Sequence, residues 1–418
     1  MLIRFEVANF RSILDPIELS MVAVDRDRSA VRPAPNIGES LLTIAGIYGP
    51  NASGKSNVLA ALAWLSTAVR DSLRFWDDEI PVEPFALAEA GAAPSEFAIE
   101  LLVDGVRFEY LLELDSSEVH HEALFHYPEK KRRRIFERDG DELVLQRGLG
   151  GLSGTRELLT PRTLALSIAR RFDEPLVTRF AAQLLAIRMR GIRPSVRSGA
   201  GRLRPSADRT TAAWFQEPTD STAHQQALAM LRLADLGIDD VVFEDEVVAV
   251  SGADDGDSAS SRRVRRIRLL HRAGTTTVSL DMNVESEGTR TWFSMIGSVL
   301  AALESGTLLI VDELDASLHP RLSAELVRLF TDPTSNPEGA QLVFTSHDTS
   351  LLNHLNRDEV WLTEKDDRGA TRLGALAEFA GERVRTSTNL EKAYLHGRFG
   401  GLPDIDRAET LRAHGLTG

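Results

Sequence analysis

One octapeptide constrains this chain more than any other feature. Residues 49–56 read Gly49-Pro50-Asn51-Ala52-Ser53-Gly54-Lys55-Ser56, which satisfies the pattern G-x-x-x-x-G-K-[ST] in full. An apolar run, Leu41–Tyr48, precedes it, and Leu62, Leu65, Val69 and Leu73 recur at helical spacing after it. The order is strand, glycine-rich turn, helix, which is the context the motif requires. Glycines let backbone N–H groups curl around a phosphate, and the helix N-terminus adds a partial positive charge. Lys55 is placed to bridge β- and γ-phosphates, and Ser56 to hold Mg²⁺. Gly49, Asn51, Ala52, Ser53, Gly54 and Asn57 complete the expected cradle. A chain built this way binds a nucleoside triphosphate.

A second segment supplies carboxylates. Thr307–Val311 is wholly apolar after its first residue and ends in Asp312-Glu313, the pattern of a parallel strand covered on both faces. Ligands in such sheets bind at the carboxyl ends of strands, which brings both acids to the phosphates. Asp312 is expected to take Mg²⁺ through water, and Glu313 to orient or deprotonate the attacking water. Asp315 follows within Asp315-Ala316-Ser317-Leu318-His319-Pro320. A third apolar run, Leu342-Val343-Phe344, leads into Thr345-Ser346-His347-Asp348. An imidazole at that strand end can hydrogen-bond the γ-phosphate and register its loss, so His347 joins the candidates.

The 418 residues are 43% hydrophobic and 26% charged, enough for two or three domains or one domain with a large insertion. There is no cysteine, which excludes disulfides, zinc fingers and thiol catalysis and fits a reducing cytoplasm. The longest apolar runs, 41–48 and 58–65, fall well short of the ~18 residues of a membrane helix. MLIRFEVANF alternates as a strand would and has no signal-peptide core. The expectation is a soluble cytoplasmic protein with no membrane partner.

Strands are expected at 2–7, 96–103, 106–114 and 143–145, the last three antiparallel. The pattern turns helical from Thr160 to about Asp240, and 254–261 (DDGDSASS) has the composition of a mobile loop tip. An α/β rhythm then returns, with helices at 289–304, 321–330 and 348–355 and strands at 307–311, 341–345 and 359–363. The expected division is 1–125, an N-terminal lobe; 126–274, an inserted, basic, largely helical subdomain; 275–365, a C-terminal lobe; and 366–418, a C-terminal extension.

Charge is uneven. The net charge is −14, yet residues 128–274 carry 26 Lys and Arg against 20 Asp and Glu, whereas the rest carries 22 against 42. Lys130-Lys131-Arg132-Arg133-Arg134 form one basic run. Arg188, Arg190, Arg193, Arg197, Arg202 and Arg204 form an acid-free stretch, and Arg262, Arg263, Arg265, Arg266 and Arg268 a third cluster. Such clusters can neutralise nucleic-acid phosphates or meet an acidic protein. Only five of the 48 basic residues are Lys, so the arginines also reflect a general bias.

Taken together, these motifs resemble the ABC-type ATPase heads of the SMC/RecF/RecN group. The matching pieces are Asn9-Phe10-Arg11-Ser12, Asn51–Asn57, Asp312-Glu313, the SLHP turn and Ser346-His347. A closer resemblance is to bacterial AAA-family ATP-binding proteins of the abortive-infection and Rlo type. It is carried by FRSI, YGPNASGKSN, ESEGT, DELDASLHP, TSHD and Tyr394–Pro403 (YLHGRFGGLP), and covers roughly 1–125 and 275–405. The resemblance implies an α/β P-loop NTPase, an ABC-type ATPase head with a mixed sheet and an inserted, mostly helical subdomain. It further implies ATP and Mg²⁺ as ligands, two protomers sandwiching two ATP molecules, and a separate effector protein in a defence role.

By the same resemblance, Arg11 lies near the nucleotide. The usual LSGGQ-like signature is absent, and Ser286-Glu287-Gly288-Thr289 stands in its place, so Ser286 and Gly288 would meet the nucleotide of the second copy. The expected activity is ATP hydrolysis in a homodimer, or a higher even-numbered homo-oligomer, that controls a partner in antiphage or abortive-infection defence. The alternative is a RecF/RecN-like DNA-repair or clamp ATPase that binds nucleic acid through the basic insertion.

Overall fold

The computed structural model describes residues 1–87, 93–192, 207–235, 237–250, 260–379 and 390–396. Strand β1 (Leu2–Ala8) opens the chain and β2 (Ile17–Ser20) folds back on it, followed by β3 (Val31–Ala34), β4 (Glu39–Leu42) and β5 (Ile44–Tyr48). The apolar run 41–48 is thus two strands. It breaks at Thr43, whose N–H and hydroxyl both bond the Ala30 carbonyl at 2.9 and 3.1 Å. After the glycine-rich turn comes α1 (Lys55–Phe75), whose Val58, Leu62, Leu65 and Val69 are buried at three- and four-residue spacing.

The chain next forms β6 (Ser95–Val103), β7 (Val106–Leu114), β8 (Val119–His126), β9 (Arg133–Asp139) and β10 (Glu142–Leu145). These make an antiparallel sheet in the order β10-β9-β8-β7-β6-β1-β2. It runs across residue 126, so β9 and β10 share a sheet with the N-terminal lobe. Strands β8 and β9 were hidden because buried polar groups interrupt their pattern. Glu122 and Arg138 are both fully buried. Glu122 accepts from Tyr110 Oη (2.9 Å) and Leu166 N (2.8 Å), while Arg138 donates to the carbonyls of Gly140, Thr163 and Thr160 at 2.6–2.8 Å.

Helices α2 (Ala165–Ala169), α3 (Pro175–Leu185), α4 (Ala207–Phe215) and α5 (Thr222–Ala234) occupy the stretch that read as helical, with β11 (Arg188–Arg190) between α3 and α4. Then come β12 (Ile238–Val250), β13 (Ser260–Ala273) and β14 (Thr276–Asp281), which form a three-stranded antiparallel sheet. The expected loop tip at 254–261 lies, apart from its last two residues in β13, outside the described residues. Arg193, Arg197, Arg202 and Arg204 also lie outside them.

The second sheet holds the phosphate turn. The chain returns through α6 (Glu287–Ser305), β15 (Leu308–Val311), α7 (Pro320–Thr331), β16 (Gln341–Thr345), β17 (Val360–Lys365), β18 (Thr371–Ala375), α8 (Leu376–Phe379) and α9 (Leu390–Leu395). The order is β11-β15-β16-β5-β17-β18, parallel throughout except β18. Residues 349–354 form a 3₁₀ rather than an α-helix.

Period-two alternation divides this sheet cleanly. Ala45, Ile47, Ile310 and Val343 pack into the core that contains α1. Ile44, Tyr48, Leu309, Val311, Leu342 and Phe344 face the core built by α6 and α7. Both faces are therefore covered, as an apolar parallel sheet requires. Among the described residues no helix is long and apolar enough to cross a membrane.

Candidate functional site

The turn between β5 and α1 is glycine by necessity. Gly49 and Gly54 have φ of +149° and +104°, where L side chains are disfavoured. A Cβ at Gly49 would lie 2.4 Å from Thr363 O, and one at Gly54 would lie 2.0 Å from Thr371 Oγ1. Strands β17 and β18 thus press directly on the loop. Ser53 Oγ and Thr363 Oγ1 are 2.6 Å apart. A relay of hydroxyls holds the other side: Asn57 Nδ2 donates to Ser12 Oγ (2.6 Å), Ser12 Oγ lies 2.8 Å from Thr371 Oγ1, and Thr371 Oγ1 donates to Ser53 O (2.9 Å). Thr371 Oγ1 spends its proton on Ser53, so Ser12 is the donor between the two hydroxyls. Thr363 and Thr371 did not stand out in the sequence, because a lone threonine in a strand carries no motif.

Lys55 is buried inside this loop and its Nζ donates to Gly49 O (2.9 Å) and Pro50 O (3.1 Å). Burial lowers its pKa, while the carboxylates of Asp312, Glu313 and Asp315 oppose that shift. Asn51 and Ala52 are exposed at the crest of the turn, with Ser53 buried beneath.

The carboxylates arrive at the ends of neighbouring strands. Asp312 follows β15, and its Oδ1 accepts from Ser56 Oγ (2.9 Å) and from Thr345 Oγ1 at the end of β16 (2.6 Å). Its N–H donates to Arg190 O at the end of β11 (2.9 Å). Glu313 is exposed and sits at φ +54°, with its N–H donating to Thr345 Oγ1 (2.7 Å). Asp315 Oδ1 accepts from the N–H of His347 at 3.1 Å, and His347 itself is exposed. Lys55, Ser56, Asp312, Glu313, Asp315 and His347 therefore gather at one end of the parallel sheet.

Three candidates sit at its margin. Arg11, at φ +52°, donates through Nε to Glu83 Oε2 (2.7 Å) and precedes the loop-holding Ser12. Ser286 caps α6 by accepting from Thr289 N (3.1 Å). Gly288 faces the turn after Asp315, where a Cβ would lie 3.0 Å from Ser317 O, and Ser317 Oγ donates to Glu287 Oε1 (2.8 Å). Glu287 and Gly288 thus meet the turn that follows Asp312-Glu313, while Ser286 bonds within the first turn of α6.

The donor set fits Mg²⁺. A hydroxyl and a carboxylate are hard oxygen ligands, and Mg²⁺ characteristically takes one or two from the protein and the rest from phosphates and water. Ser56 can present a lone pair to the ion while its proton stays on Asp312.

Among the described residues, several arginines of the basic clusters are engaged within the fold. Arg132 pairs with Glu109 (3.0 Å) and lies over the Phe125 ring at 3.6 Å, and Arg134 pairs with Glu137 (2.7 Å). In β13, Arg265, Arg266 and Arg268 pair with Asp245, Asp281 and Glu244 at 2.9–3.4 Å. Arg190 donates to Ser294 Oγ on α6 (2.5 Å).

Residues 44–353 match the model of the family described as "AAA domain, putative AbiEii toxin, Type IV TA system". No curated protein sequence matches the chain. Among solved structures, one similar chain is that of the "SmcHead bound to the C-winged helix domain of ScpA", at 12% identity and a TM-score of 0.42, covering 90% of this chain and 97% of that one.

Proposed function

The chain belongs to this AAA-domain family, and from that membership and the site geometry we propose that it binds ATP with Mg²⁺ and hydrolyses it. The observation that carries the proposal is the contact between Ser56, in the phosphate turn, and Asp312, at the end of the adjoining apolar strand. Lys55 and the loop amides would bind the phosphates. Ser56 and Asp312 would hold Mg²⁺, which would supply positive charge to offset the charge that develops on the phosphates. Glu313, held just past Asp312, orients the attacking water and accepts its proton. His347 hydrogen-bonds the γ-phosphate and changes partner when that phosphate leaves.

Ser56, Glu313 and His347 are exposed, so this end of the sheet is open to water. Catalysis by fixed dipoles gains from excluding bulk water. We propose that a second copy closes the site and presents Ser286 and Gly288 at the N-terminus of its α6. The ATP-bound dimer then controls a separate effector protein. The family's description names a toxin of a type IV toxin–antitoxin system, which supports a role in antiphage or abortive-infection defence. The internally paired arginines of β13 and the 130–134 run give the nucleic-acid clamp no added support.

The test is ATP turnover by the purified chain beside Lys55→Ala and Glu313→Gln. Turnover in the wild type, loss of nucleotide binding in the Ala variant and retained, unhydrolysed ATP in the Gln variant support the proposal. Equal turnover in all three overturns it.

A further inference from the structure

Thr345 touches both acids of the site and lies outside the phosphate turn and the Asp312-Glu313 strand end. It is the last residue of β16, the strand between the two that carry the phosphate turn and Asp312-Glu313, and it is fully buried. Its hydroxyl proton goes to Asp312 Oδ1 at 2.6 Å, and its oxygen receives the Glu313 N–H at 2.7 Å. Its carbonyl receives the Leu314 N–H at 2.9 Å. One side chain therefore fixes the carboxylate proposed for Mg²⁺ and the backbone of the residue proposed as the base.

Glu313 needs that support. Its φ of +54° lies in the left-handed region, which disfavours a non-glycine residue. Such a conformation persists only where its surroundings over-determine it. Here the bonds to Thr345 Oγ1 and O pin Glu313 and Leu314 in succession. The bond to Asp312 has a second effect. Ser56 and Thr345 both donate to Asp312 Oδ1, so that oxygen is fixed from two sides, next to the Ser56 hydroxyl.

We propose that Thr345 is a positioning residue for ATP hydrolysis: its hydroxyl sets the orientation of Asp312 toward the metal and of Glu313 toward the attacking water. The inference rests on the ATPase proposal above and adds a residue to it. A purely structural threonine would affect stability alone. A positioning hydroxyl affects metal use and the chemical step while leaving metal-free nucleotide binding intact, because Lys55 and the loop amides do not touch it.

The experiment uses the full chain as wild type, Thr345→Val and Thr345→Ser. ATP turnover is titrated with Mg²⁺, and a fluorescent ATP analogue is titrated in EDTA. Thr345→Val keeps shape but removes both hydroxyl bonds. Its kcat is expected to fall about tenfold or more, as misplacing one catalytic group does, and its half-saturating Mg²⁺ to rise about tenfold or more, in the range seen for lost outer-shell ligand support. Affinity for the analogue in EDTA stays at the wild-type value. Thr345→Ser retains the hydroxyl and restores both parameters. If Thr345→Val does not fold, as judged by circular dichroism, Thr345→Ala takes its place with the same expectations.

Wild-type kcat and Mg²⁺ dependence in the Val variant overturn the inference. A Ser variant as impaired as the Val variant does so as well, because the methyl group would then matter rather than the hydroxyl. The wild-type control separates the two layers. No turnover there removes the ATPase proposal and this inference with it, whereas equal turnover in wild type and Thr345→Val removes this inference alone.

Discussion

Ser56 Oγ donates a 2.9 Å hydrogen bond to Asp312 Oδ1 across 256 positions of sequence. Two motifs far apart in the chain become one site because β16 is the only strand between β5 and β15, the strands that deliver them. The contact predicts how each partner fails. Asp312→Asn keeps shape and removes the charge that would attract the ion, so Mg²⁺-dependent ATP binding should weaken by about tenfold or more while binding in EDTA stays unchanged. Isothermal titration with and without Mg²⁺ measures both. A uniform loss in both conditions would mean that Asp312 acts on the fold rather than on the metal.

Gly54→Ala should remove nucleotide binding. The new methyl would lie 2.0 Å from Thr371 Oγ1 at a residue with φ +104°, so the turn and the hydroxyl relay from Asn57 to Ser53 must shift together. Removing the clashing hydroxyl with Thr371→Ala in the same chain should recover part of the binding. A Gly54→Ala protein with wild-type affinity for an ATP analogue would contradict this packing account.

Glu359 gives the fold a pH dependence of defined sign. Burial pushes its pKa up to about 7 against the opposing charge of Arg28, which also binds Asp358. Because the folded pKa lies above the unfolded value of 4.5, the folded chain holds a proton that the unfolded chain has released. Stability from this group is present in full below pH 4.5 and falls as pH rises to about 7. Above that it is level. Urea midpoints measured from pH 5 to 8 should fall more steeply for wild type than for Glu359→Gln, whose amide does not titrate; parallel curves would contradict the assignment.

Gly297→Ala tests how α4 docks on α6. Thr211 of α4 accepts from Gly297 N (3.0 Å) and donates to Phe293 O (2.7 Å), and a Cβ at residue 297 would lie 2.6 Å from Thr211 N. Backbone cannot yield as a side-chain tip can, so the substitution should cost about 1–3 kcal/mol of stability. Nucleotide affinity should persist, since α4 lies away from the phosphate turn. Unchanged thermal unfolding would show that α4 does not approach α6 this closely.

Much of the site was legible because its chemistry is local in sequence. Gly49–Ser56 and Asp312-Glu313 declare themselves through spacing and flanking apolar runs, and the structure places Ser56, Asp312 and Glu313 together. The residues that tune the site were not legible. Thr345, Thr363 and Thr371 act through tertiary contacts that their neighbours in sequence do not reveal, even though Thr345 stands in the TSHD tetrapeptide. The sheets fared unevenly for a related reason. Strands β6 and β7 alternate visibly, whereas β8 and β9 contain the buried Glu122 and Arg138, and β13 reads as an arginine cluster because its charges pair across the sheet. The segment 349–354 forms a 3₁₀ turn in place of the expected helix, capped by Asp348 Oδ1, which accepts from Ser350 N (2.9 Å).

The most direct test of the central claim is quantitation of nucleotide on Glu313→Gln protein after incubation with ATP and Mg²⁺, alongside wild-type turnover. The account predicts wild-type hydrolysis, a fall of at least about 100-fold in the variant, and close to one intact ATP retained per variant chain in an even-numbered oligomer. A variant that turns over ATP at the wild-type rate, or a wild-type chain that binds none, would contradict it.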